Sequence, residues 1–400
     1  MHENKLTSIF LDALKACDPE RLVGEALSGS PPERVFVFGA GKAALGMAAG
    51  AIRARGEAAG GAIIVPSAII KAAQEGLAPH AGHFRECERA GIRVLEGSHP
   101  YPDEKSVAAT ETLLKEAEKR TPADRAIFVL SGGASALLCK PIAGVTVKEE
   151  ADLLEWMYEN GETIQDINRK RTELSDVKGG KLARFFKCPV TVLVLSDVNG
   201  NDLTTIGSGP LYPSDHKHVI VGDGLRLARE AKAIADIQKF EYRELIETPV
   251  AGDVVKLAHD YAKRVREHGN GQNGGEILLI RFGEPTVHMT NKAASARNMR
   301  GGRNQHLALL LARALAGVQG WSFLAAGSDG IDGSSDAAGA VVDGTTWKAA
   351  EHAGLGPAKA LHEFNSHHVF DGLKAQVRTG PTGNNLQDLH LLATQPAVKG

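Results

Sequence analysis

The sequence predicts an α/β protein whose strands run parallel and are buried on both faces. Three observations predict this class. Short apolar runs recur along the chain, each leads into a loop rich in Gly, Ser or Asp, and a stretch of helical spacing follows. The apolar runs do not alternate with polar residues, which is typical of strands covered on both sides. The 45 glycines gather in these loops, where α/β proteins bind their ligands.

The first half of the chain carries most of these units. Residues 5–27 are predicted to form one helix, because Ile9, Leu14 and Leu22 fall near helical spacing. Residues 104–120 and 148–165 also have helical spacing, and the small-residue stretch AALGMAAGAIRAR is a helix that can pack close to a sheet. The predicted strands are 34–38, 61–65, 93–95, 126–130 and 190–195.

The second half is predicted to form a separate α/β unit. Residues 219–268 are charged and mainly helical, and GNGQNGG at 269–275 is the most polar, glycine-rich stretch of the chain. We therefore expect two domains, 1–270 and 271–400, with polar loops that face each other across a cleft. Beyond the boundary, the predicted elements are strands at 277–280, 286–289 and 322–325 and a helix at 305–315.

Composition excludes several classes of protein. The 400 residues suggest two or three domains, and 46 basic against 48 acidic residues give a net charge of -2, without the basic excess of nucleic-acid or membrane-surface proteins. No apolar run approaches the ~18 residues of a membrane span, and the N-terminus has no signal-peptide core. The four cysteines are far apart and form no CxxC, so we expect neither a structural zinc site nor disulfides, and a cytoplasmic location.

Gly39-Ala40-Gly41-Lys42 lies between a predicted strand and a predicted helix, the geometry that presents backbone N–H groups to an anion. It fits the dinucleotide pattern G-x-G-x-x-G/A, but Pro66 and Ser67 stand where an acidic ribose ligand is expected. It fails as a P-loop, because Ala43 replaces the metal-binding Ser or Thr. A tight turn with a solvated lysine, and a lysine that holds an anion at a helix start, both remain open.

Two further loops follow buried strands. Ser131-Gly132-Gly133-Ala134-Ser135 lets the main chain approach a phosphate closely, and it lacks the glycine spacing of a hydrolase nucleophile elbow. After the next strand, Asp197 and Asp202 are candidates for Mg²⁺, which prefers oxygen ligands. A plain strand-to-helix turn and capping aspartates are the alternatives.

The second half holds an arginine and an acidic loop. Arg303 opens a predicted helix and is suited to bidentate binding of a carboxylate or phosphate. Asp329, Asp332 and Asp336 repel one another unless a cation or hydrogen-bond donors neutralise them, and their spacing is not that of an EF-hand. A solvated loop of turn aspartates is the alternative. His99, between two prolines, is a candidate to orient substrate or a surface histidine.

Eight segments, in order from Phe38 to Leu389, resemble the glycerate 2-kinase family, whose C-terminal part is the MOFRL domain. The family implies ATP-dependent phosphorylation of the 2-hydroxyl of D-glycerate with Mg²⁺. It also implies a larger Rossmann-like N-terminal domain and a smaller α/β C-terminal domain, with the active-site cleft between them. The segments are FGAGKAALGMA, EGSHPYPDE, LSGGASALL, ELSDVKGGKLA, VLVLSDVNGNDLTTIGSGP, GGRNQHLAL, AAGSDGIDGSSDAAGAVVD and TGPTGNNLQDL.

The resemblance also assigns residues. It implies Lys42 and Arg303 as catalytic and substrate-binding residues. We add Asp329 as a catalytic residue, His99 as a substrate ligand, and Asp197 with Asp329 as metal ligands. Asn201 replaces a carboxylate that is common in the family, and KAASARNMR replaces the usual glycine-rich approach to GGRN. The predicted nucleotide-binding residues are Ser131, Gly132, Gly133, Ser135, Lys178 and Asn201.

Other functions remain open at this stage. Some relatives carry a hydroxypyruvate reductase label, so an NAD(P)H-dependent reductase is the first rival. A kinase acting on a related short hydroxy acid is the second, and a metabolite sensor without turnover is the third. The expected partners are D-glycerate and ATP, and we expect no binding to nucleic acid or to a membrane. A homodimer is the predicted assembly.

Overall fold

The computed structural model describes residues 3–29, 31, 33–56, 58–160, 162, 164–238, 240–269, 275–288 and 299–395. The chain forms two compact units. The parallel-sheet unit contains Asp18–Asp223 and Gly383–Asn385. The mixed-sheet unit contains Met1–Cys17, Gly224–Thr382 and Leu386–Gly400.

The strands and helices alternate through most of the chain. The strands are β1 (Val35–Ala40), β2 (Ala58–Pro66), β3 (Ile92–Gly97), β4 (Ala126–Ser131), β5 (Val190–Leu195), β6 (Lys217–Gly222), β7 (Tyr242–Leu245), β8 (Ile277–Gly283), β9 (Trp321–Gly327), β10 (Gly339–Asp343), β11 (Gln376–Val377) and β12 (Asp388–Thr394). The helices are α1 (Glu3–Ala16), α2 (Pro19–Leu27), α3 (Ala44–Arg55), α4 (Ser67–Gln74), α5 (His80–Arg89), α6 (Glu104–Glu118), α7 (Ala134–Leu137), α8 (Val147–Glu159), α9 (Ile164–Glu173), α10 (Gly224–Ile237), α11 (Val254–Gly269), α12 (Arg303–Ala314), α13 (Thr346–His352), α14 (Pro357–His362) and α15 (Ser366–Leu373).

The parallel-sheet unit confirms the predicted fold class. Its six strands pair in the order β3-β2-β1-β4-β5-β6, and every pairing is parallel. All six residues of β4 are buried, as their unbroken apolar run predicts. Helices cover the sheet, and Phe186 packs edge-on against Phe38 of β1 and Phe128 of β4, with ring centroids 5.2 and 6.3 Å away. Because β1, β4 and β5 are neighbouring parallel strands, the loops that follow them emerge side by side at one edge of the sheet.

The mixed-sheet unit is the second α/β unit that the sequence predicts, and its strands are mainly antiparallel. Its order is β11-β10-β9-β12-β8-β7, and only β7 and β8 pair in parallel. The last strand, β12, lies between β8 and β9 and is buried along its whole length. A strand that is covered on both faces is apolar whichever way its neighbours run, so the sequence pattern does not report strand direction.

The predicted division into 1–270 and 271–400 differs from the two units. Three elements before residue 270 belong to the mixed-sheet unit, because β7 pairs with β8, α10 packs on β8, and α11 packs on α12. At the N-terminus α1 packs on α10, which places it in the same unit. Residues 270–274, where we expected the boundary, lie outside the described residues.

The helix predicted at 5–27 is two helices that belong to different units. Asp18 ends the run, because its side chain accepts a hydrogen bond from the backbone N–H of Glu20 at 2.9 Å and Pro19 occupies the first turn of α2. The strand predicted at 286–289 is reduced to a single bridge between Thr286 and Asp253, and Met289 lies outside the described residues.

Two other expectations from composition can be compared with the fold. All four cysteines are buried free thiols. Among the described residues, no helix combines the length and the apolar character that crossing a bilayer requires.

Candidate active site

Two glycine loops are tied together at the carboxyl edge of the parallel sheet. The backbone N–H of Lys42 donates to the carbonyl of Gly132 at 3.0 Å, and the N–H of Ala43 donates to Ser131 Oγ at 3.0 Å. A Cβ on Gly41, whose φ is +139°, would lie 2.1 Å from Ser131 Oγ. Only glycine permits this approach. The buried Ser131 hydroxyl thus holds the two loops in register, a role the sequence did not indicate.

Asp197 lies over Gly132. A Cβ at Gly132 would stand 1.8 Å from both Asp197 Oδ2 and Asn385 Nδ2, so any side chain there would displace them. Asn385 donates to Asp197 Oδ2 at 2.6 Å, which fixes the carboxylate against the glycine backbone. This is the side chain predicted as a metal ligand, and its contact with a phosphate-type loop is consistent with that role.

Lys42 and His99 both reach the second glycine of the loop. Gly133 has φ +85°, and a Cβ there would lie 3.3 Å from Lys42 Cγ and 3.1 Å from the His99 ring. Two residues further on, Ser135 Oγ is 2.9 Å from Ser208 Oγ. The structure therefore brings together Lys42, His99, Gly133 and Ser135, which the sequence assigned separately.

A cavity of about 200 Å³ opens beside these groups. Both polar and apolar side chains line it. The residues that define it are His99, Gly133, Ser135, Glu150, Leu154 and Arg171.

Lys178 and Asn201 have structural partners. Lys178 is 1% exposed, and its Nζ lies 3.0 Å from Glu150 Oε1. Asn201 has φ +57° and donates to Asp223 at 2.8 Å. Their contact with a nucleotide stays a prediction. Asp202 is exposed and accepts from the Thr204 and Thr205 hydroxyls, and the hydrogen bonds from Thr204 lower its pKa.

In the mixed-sheet unit, Arg303 starts α12 and is held by two carboxylates. Its guanidinium makes a forked ion pair with Asp388, through Nε at 2.5 Å and Nη2 at 2.9 Å, and Nη2 also lies 2.8 Å from Glu284. Burial would lower the pKa of Arg303, but the two carboxylates outweigh it and raise the pKa well above the usual value. Arg303 is therefore permanently charged and fixed in direction, and its contact with substrate stays a prediction.

The three aspartates of the acidic loop occupy different environments. Asp332 is buried and caps α12, accepting from the N–H groups of Asn304 at 3.0 Å and Gln305 at 2.8 Å. Its burial raises its pKa to about 6 against these hydrogen bonds. Asp336 is exposed and pairs with Arg378. Asp329 is half-buried and accepts from the N–H of Ile331 at 3.0 Å.

The donor set suits Mg²⁺ that arrives with a nucleotide better than a protein-only metal site. Within the described part of the chain, no three His, Cys, Asp or Glu side chains are grouped to hold a metal. Mg²⁺ usually keeps several waters and takes one or two carboxylates plus substrate phosphates. A single carboxylate at Asp197, beside a glycine loop, fits that pattern.

A second cavity, of about 570 Å³, lies at the start of α12. Arg303, His306 and Phe364 line it, and the His306 ring stacks on Phe364 with a centroid distance of 5.2 Å. Burial lowers the pKa of His306 to about 4, so the His306 ring is neutral near pH 7.

The chain is similar to known proteins along most of its length. The domain of unknown function DUF4147 matches residues 5–239, and the MOFRL family matches residues 277–388. The chain is 31% identical to the D-glycerate 2-kinase of Thermotoga maritima, over 95% of each chain. The chain belongs to the glycerate 2-kinase family.

The chain is also similar to a solved structure and to a protein that carries a different name. The crystal structure of glycerate kinase from Thermotoga maritima superimposes with a TM-score of 0.81 at 29% identity, over 98% of this chain and 99% of that one. A protein of Agrobacterium vitis that is provisionally named hydroxypyruvate reductase is 30% identical, over 97% of this chain and 93% of its own length.

The sequence analysis gave no role to several residues that lie at these sites. Asn385 and Asp388 lie in TGPTGNNLQDL, and a polar run before a buried strand was the signal that could have marked them. Glu150 and Arg171 lie in charged stretches, where no local pattern separates them from solvated neighbours, and Glu284 is a single acid between Gly283 and Pro285. Their positions follow from tertiary packing.

Proposed function

We propose that this protein transfers the γ-phosphoryl group of ATP to the 2-hydroxyl of D-glycerate, giving 2-phosphoglycerate and ADP. The observation that carries the proposal is the pair of interlocked glycine loops with Lys42 and Asp197 beside them. Phosphoryl transfer requires positioning and neutralisation of charge more than covalent chemistry, and this arrangement supplies both.

The glycine loop after β4 is the proposed binding site for the nucleotide phosphates. Gly132 and Gly133 expose main chain that a side chain would cover, and Ser135 adds a hydroxyl. The hydrogen bonds from Lys42 and Ala43 to residues 131 and 132 fix this loop before a ligand binds. A loop already in its bound shape avoids an entropic cost during the reaction.

Asp197 is the proposed ligand for the Mg²⁺ that accompanies ATP, oriented by Asn385. The bound ion would neutralise charge on the phosphates. Asp329, the other proposed metal ligand, belongs to the mixed-sheet unit.

In the proposed reaction, the C2 oxygen of glycerate attacks the γ-phosphorus, and the bond from that phosphorus to the β–γ bridging oxygen breaks. The ADP leaves with the bridging oxygen, and the hydroxyl proton passes to a carboxylate. Asp329 is the proposed acceptor of that proton; Asp332 caps α12, and Asp336 pairs with Arg378. Lys42 and Arg303 are proposed to stabilise the charge on the transferred group.

The deciding experiment incubates the purified protein with D-glycerate and Mg-ATP and follows the products by phosphorus NMR. We expect ADP and 2-phosphoglycerate in equal amounts. Lys42→Ala and Arg303→Ala should each lower kcat about 100-fold or more while the circular dichroism spectrum is kept. A product phosphorylated at the 3-hydroxyl, or near-normal rates in both variants, contradicts the corresponding part of the proposal.

The name of the Agrobacterium relative makes hydroxypyruvate reduction the alternative. Against it, β2 ends at Pro66 and runs into Ser67, where a nicotinamide enzyme of this fold places an acidic ribose ligand. Hydroxypyruvate with NADH or NADPH, assayed by absorbance at the nicotinamide band, should give no turnover. A related short hydroxy acid as acceptor is distinguished by a screen of C3 and C4 acids. The cytoplasmic location and the homodimer stay predictions.

A further inference from the structure

We propose that the cavity of about 200 Å³ in the parallel-sheet unit binds the hydroxy-acid acceptor, and that Arg171 recognises its carboxylate. This inference rests on the proposed function, and it adds a specificity residue that neither the sequence motifs nor the comparisons assign.

The charge of the cavity wall favours an anion. Arg171 supplies a guanidinium, which binds carboxylates through paired hydrogen bonds. Glu150 also lines the cavity, but its carboxylate is neutralised by Lys178 at 3.0 Å, and both side chains are at most 1% exposed. The wall therefore offers a guanidinium to an ionised acid, while the carboxylate of Glu150 is already paired.

The size of the cavity favours a small acid over a nucleotide. A volume of about 200 Å³ corresponds to roughly seven water molecules at about 30 Å³ each. A C3 hydroxy acid such as glycerate has seven non-hydrogen atoms, whereas a nucleotide has several times as many. His99 offers a hydrogen-bonding group for the hydroxyls, and Leu154 adds an apolar surface.

The packing of α9 against α8 fixes Arg171 in position. Ile167, one helical turn before Arg171 and on the same face of α9, is buried in a small core with Leu154 and Met157 of α8. The helix face that carries Arg171 is thus anchored to the helix that supplies Leu154 and Glu150. A cation held on such a scaffold discriminates better than one on a flexible loop.

The location links the cavity to the phosphate loop. Gly133 lines the cavity, and the same glycine contacts the side chain of Lys42. An acid bound there lies beside the lysine that is proposed to stabilise the transferred group. Arg171 is accordingly placed at the substrate and the glycine loop at the donor phosphates.

The test compares Arg171→Gln and Arg171→Lys with Arg169→Gln as the matched control. Arg169 lies on the same helix, is 72% exposed and pairs with Asp166, outside the cavity. With D-glycerate and Mg-ATP, Arg171→Gln should raise the KM for D-glycerate about tenfold or more and change the KM for ATP less than about twofold. Arg171→Lys keeps the charge, so its KM for D-glycerate should lie between those of the wild type and Arg171→Gln. The KM of Arg169→Gln should match that of the wild type.

A neutral analogue distinguishes carboxylate recognition from a general loss of fit. The wild type should prefer D-glycerate to D-glyceramide in kcat/KM, and Arg171→Gln should lose most of that preference. An equal loss for both acceptors, an unchanged KM for D-glycerate, or an increase confined to the KM for ATP overturns the inference.

Calorimetry separates this inference from the proposed function. D-glycerate is titrated into the wild type and Arg171→Gln in the presence of saturating Mg-ADP. Binding that Arg171→Gln weakens tenfold supports the inference even if the wild type forms no 2-phosphoglycerate, in which case only the proposed function fails. No binding to the wild type, or equal binding to both proteins, overturns the inference.

Discussion

The Nζ of Lys178 lies 3.0 Å from Oε1 of Glu150, and both side chains are at most 1% exposed. Removing one partner leaves the other charge buried without compensation, which costs about 3–5 kcal/mol. We therefore expect Lys178→Met to lower the midpoint of urea unfolding sharply. The double variant Lys178→Met/Glu150→Leu should recover most of the loss, because it removes both charges. Measurement is by far-UV circular dichroism in urea.

The same variants test the nucleotide contact that the sequence predicts for Lys178. If the role of Lys178 is to pair with Glu150, the double variant Lys178→Met/Glu150→Leu should have a KM for ATP within about threefold of the wild-type value. A stable Lys178→Met protein with a strongly raised KM for ATP would instead support the contact with nucleotide.

Gly132→Ala is the sharpest test of the phosphate loop. The added methyl would meet Asp197 and Asn385 at 1.8 Å, so the hydrogen bond between them must break or the loop must move. We expect kcat/KM for Mg-ATP to fall about 100-fold, since displacement by about 1 Å has effects of this size. The readout is the initial rate over a range of Mg-ATP concentrations.

Gly24→Ala is the control for that substitution. Gly24 lies in α2 with nothing within 4 Å of an added Cβ. Alanine there should stabilise the helix by up to about 1 kcal/mol and leave the rate unchanged. Equal activity of Gly132→Ala and Gly24→Ala would show that Asp197 and its contact with Gly132 do not matter for turnover.

The sequence predicted the parallel strands of the first half and the glycine loops at their carboxyl ends. Strand, glycine loop and helix repeat in the first half, which predicted parallel strands, and parallel strands have their carboxyl ends at one edge. The strand order that puts the loops of Lys42, Gly132 and Asp197 side by side was not predicted. Their closeness depends on Gly41 and Gly132, whose lack of a side chain is visible in the sequence itself.

The sequence did not determine which strands and which charged side chains pair when they are far apart along the chain. The last strand inserts between β8 and β9, more than 60 residues from either in sequence, so its neighbours cannot be read from local spacing. Lys178 has the charge and glycine neighbours of a phosphate ligand, yet its partner Glu150 lies 28 residues earlier, on α8. Only packing decides which charges are buried.

Asp388 is expected to act as a positioning residue for Arg303. It is 1% exposed and makes the forked pair, whereas Glu284 is 38% exposed and makes one contact. Asp388→Asn should lower kcat about 100-fold while the KM for Mg-ATP changes less than about threefold. Glu284→Gln should cost less than about fivefold, because exposed ion pairs contribute little. A purely structural role for Asp388 predicts fewer active molecules with unchanged kcat per folded molecule, which active-site titration would reveal.

His390 should make stability depend on pH. It is 1% exposed, its Nδ1 lies 3.0 Å from the Tyr261 hydroxyl, and burial lowers its pKa to about 4. In the unfolded chain its pKa is near 6.5, so between about pH 6.5 and pH 4 the unfolded state binds more protons. Stability from this group is therefore fully present above pH 6.5 and is lost as the pH falls.

The expected size follows from the two pKa values. Between pH 7 and pH 5, the wild type should lose about 2 kcal/mol of unfolding free energy through His390. His390→Gln keeps an acceptor for Tyr261 but does not titrate, so its loss over the same interval should be smaller by that amount. Urea unfolding of both proteins at the two pH values gives the comparison. Parallel losses in the two proteins would mean that His390 has the same proton affinity folded and unfolded, and that its buried ring does not resist protonation.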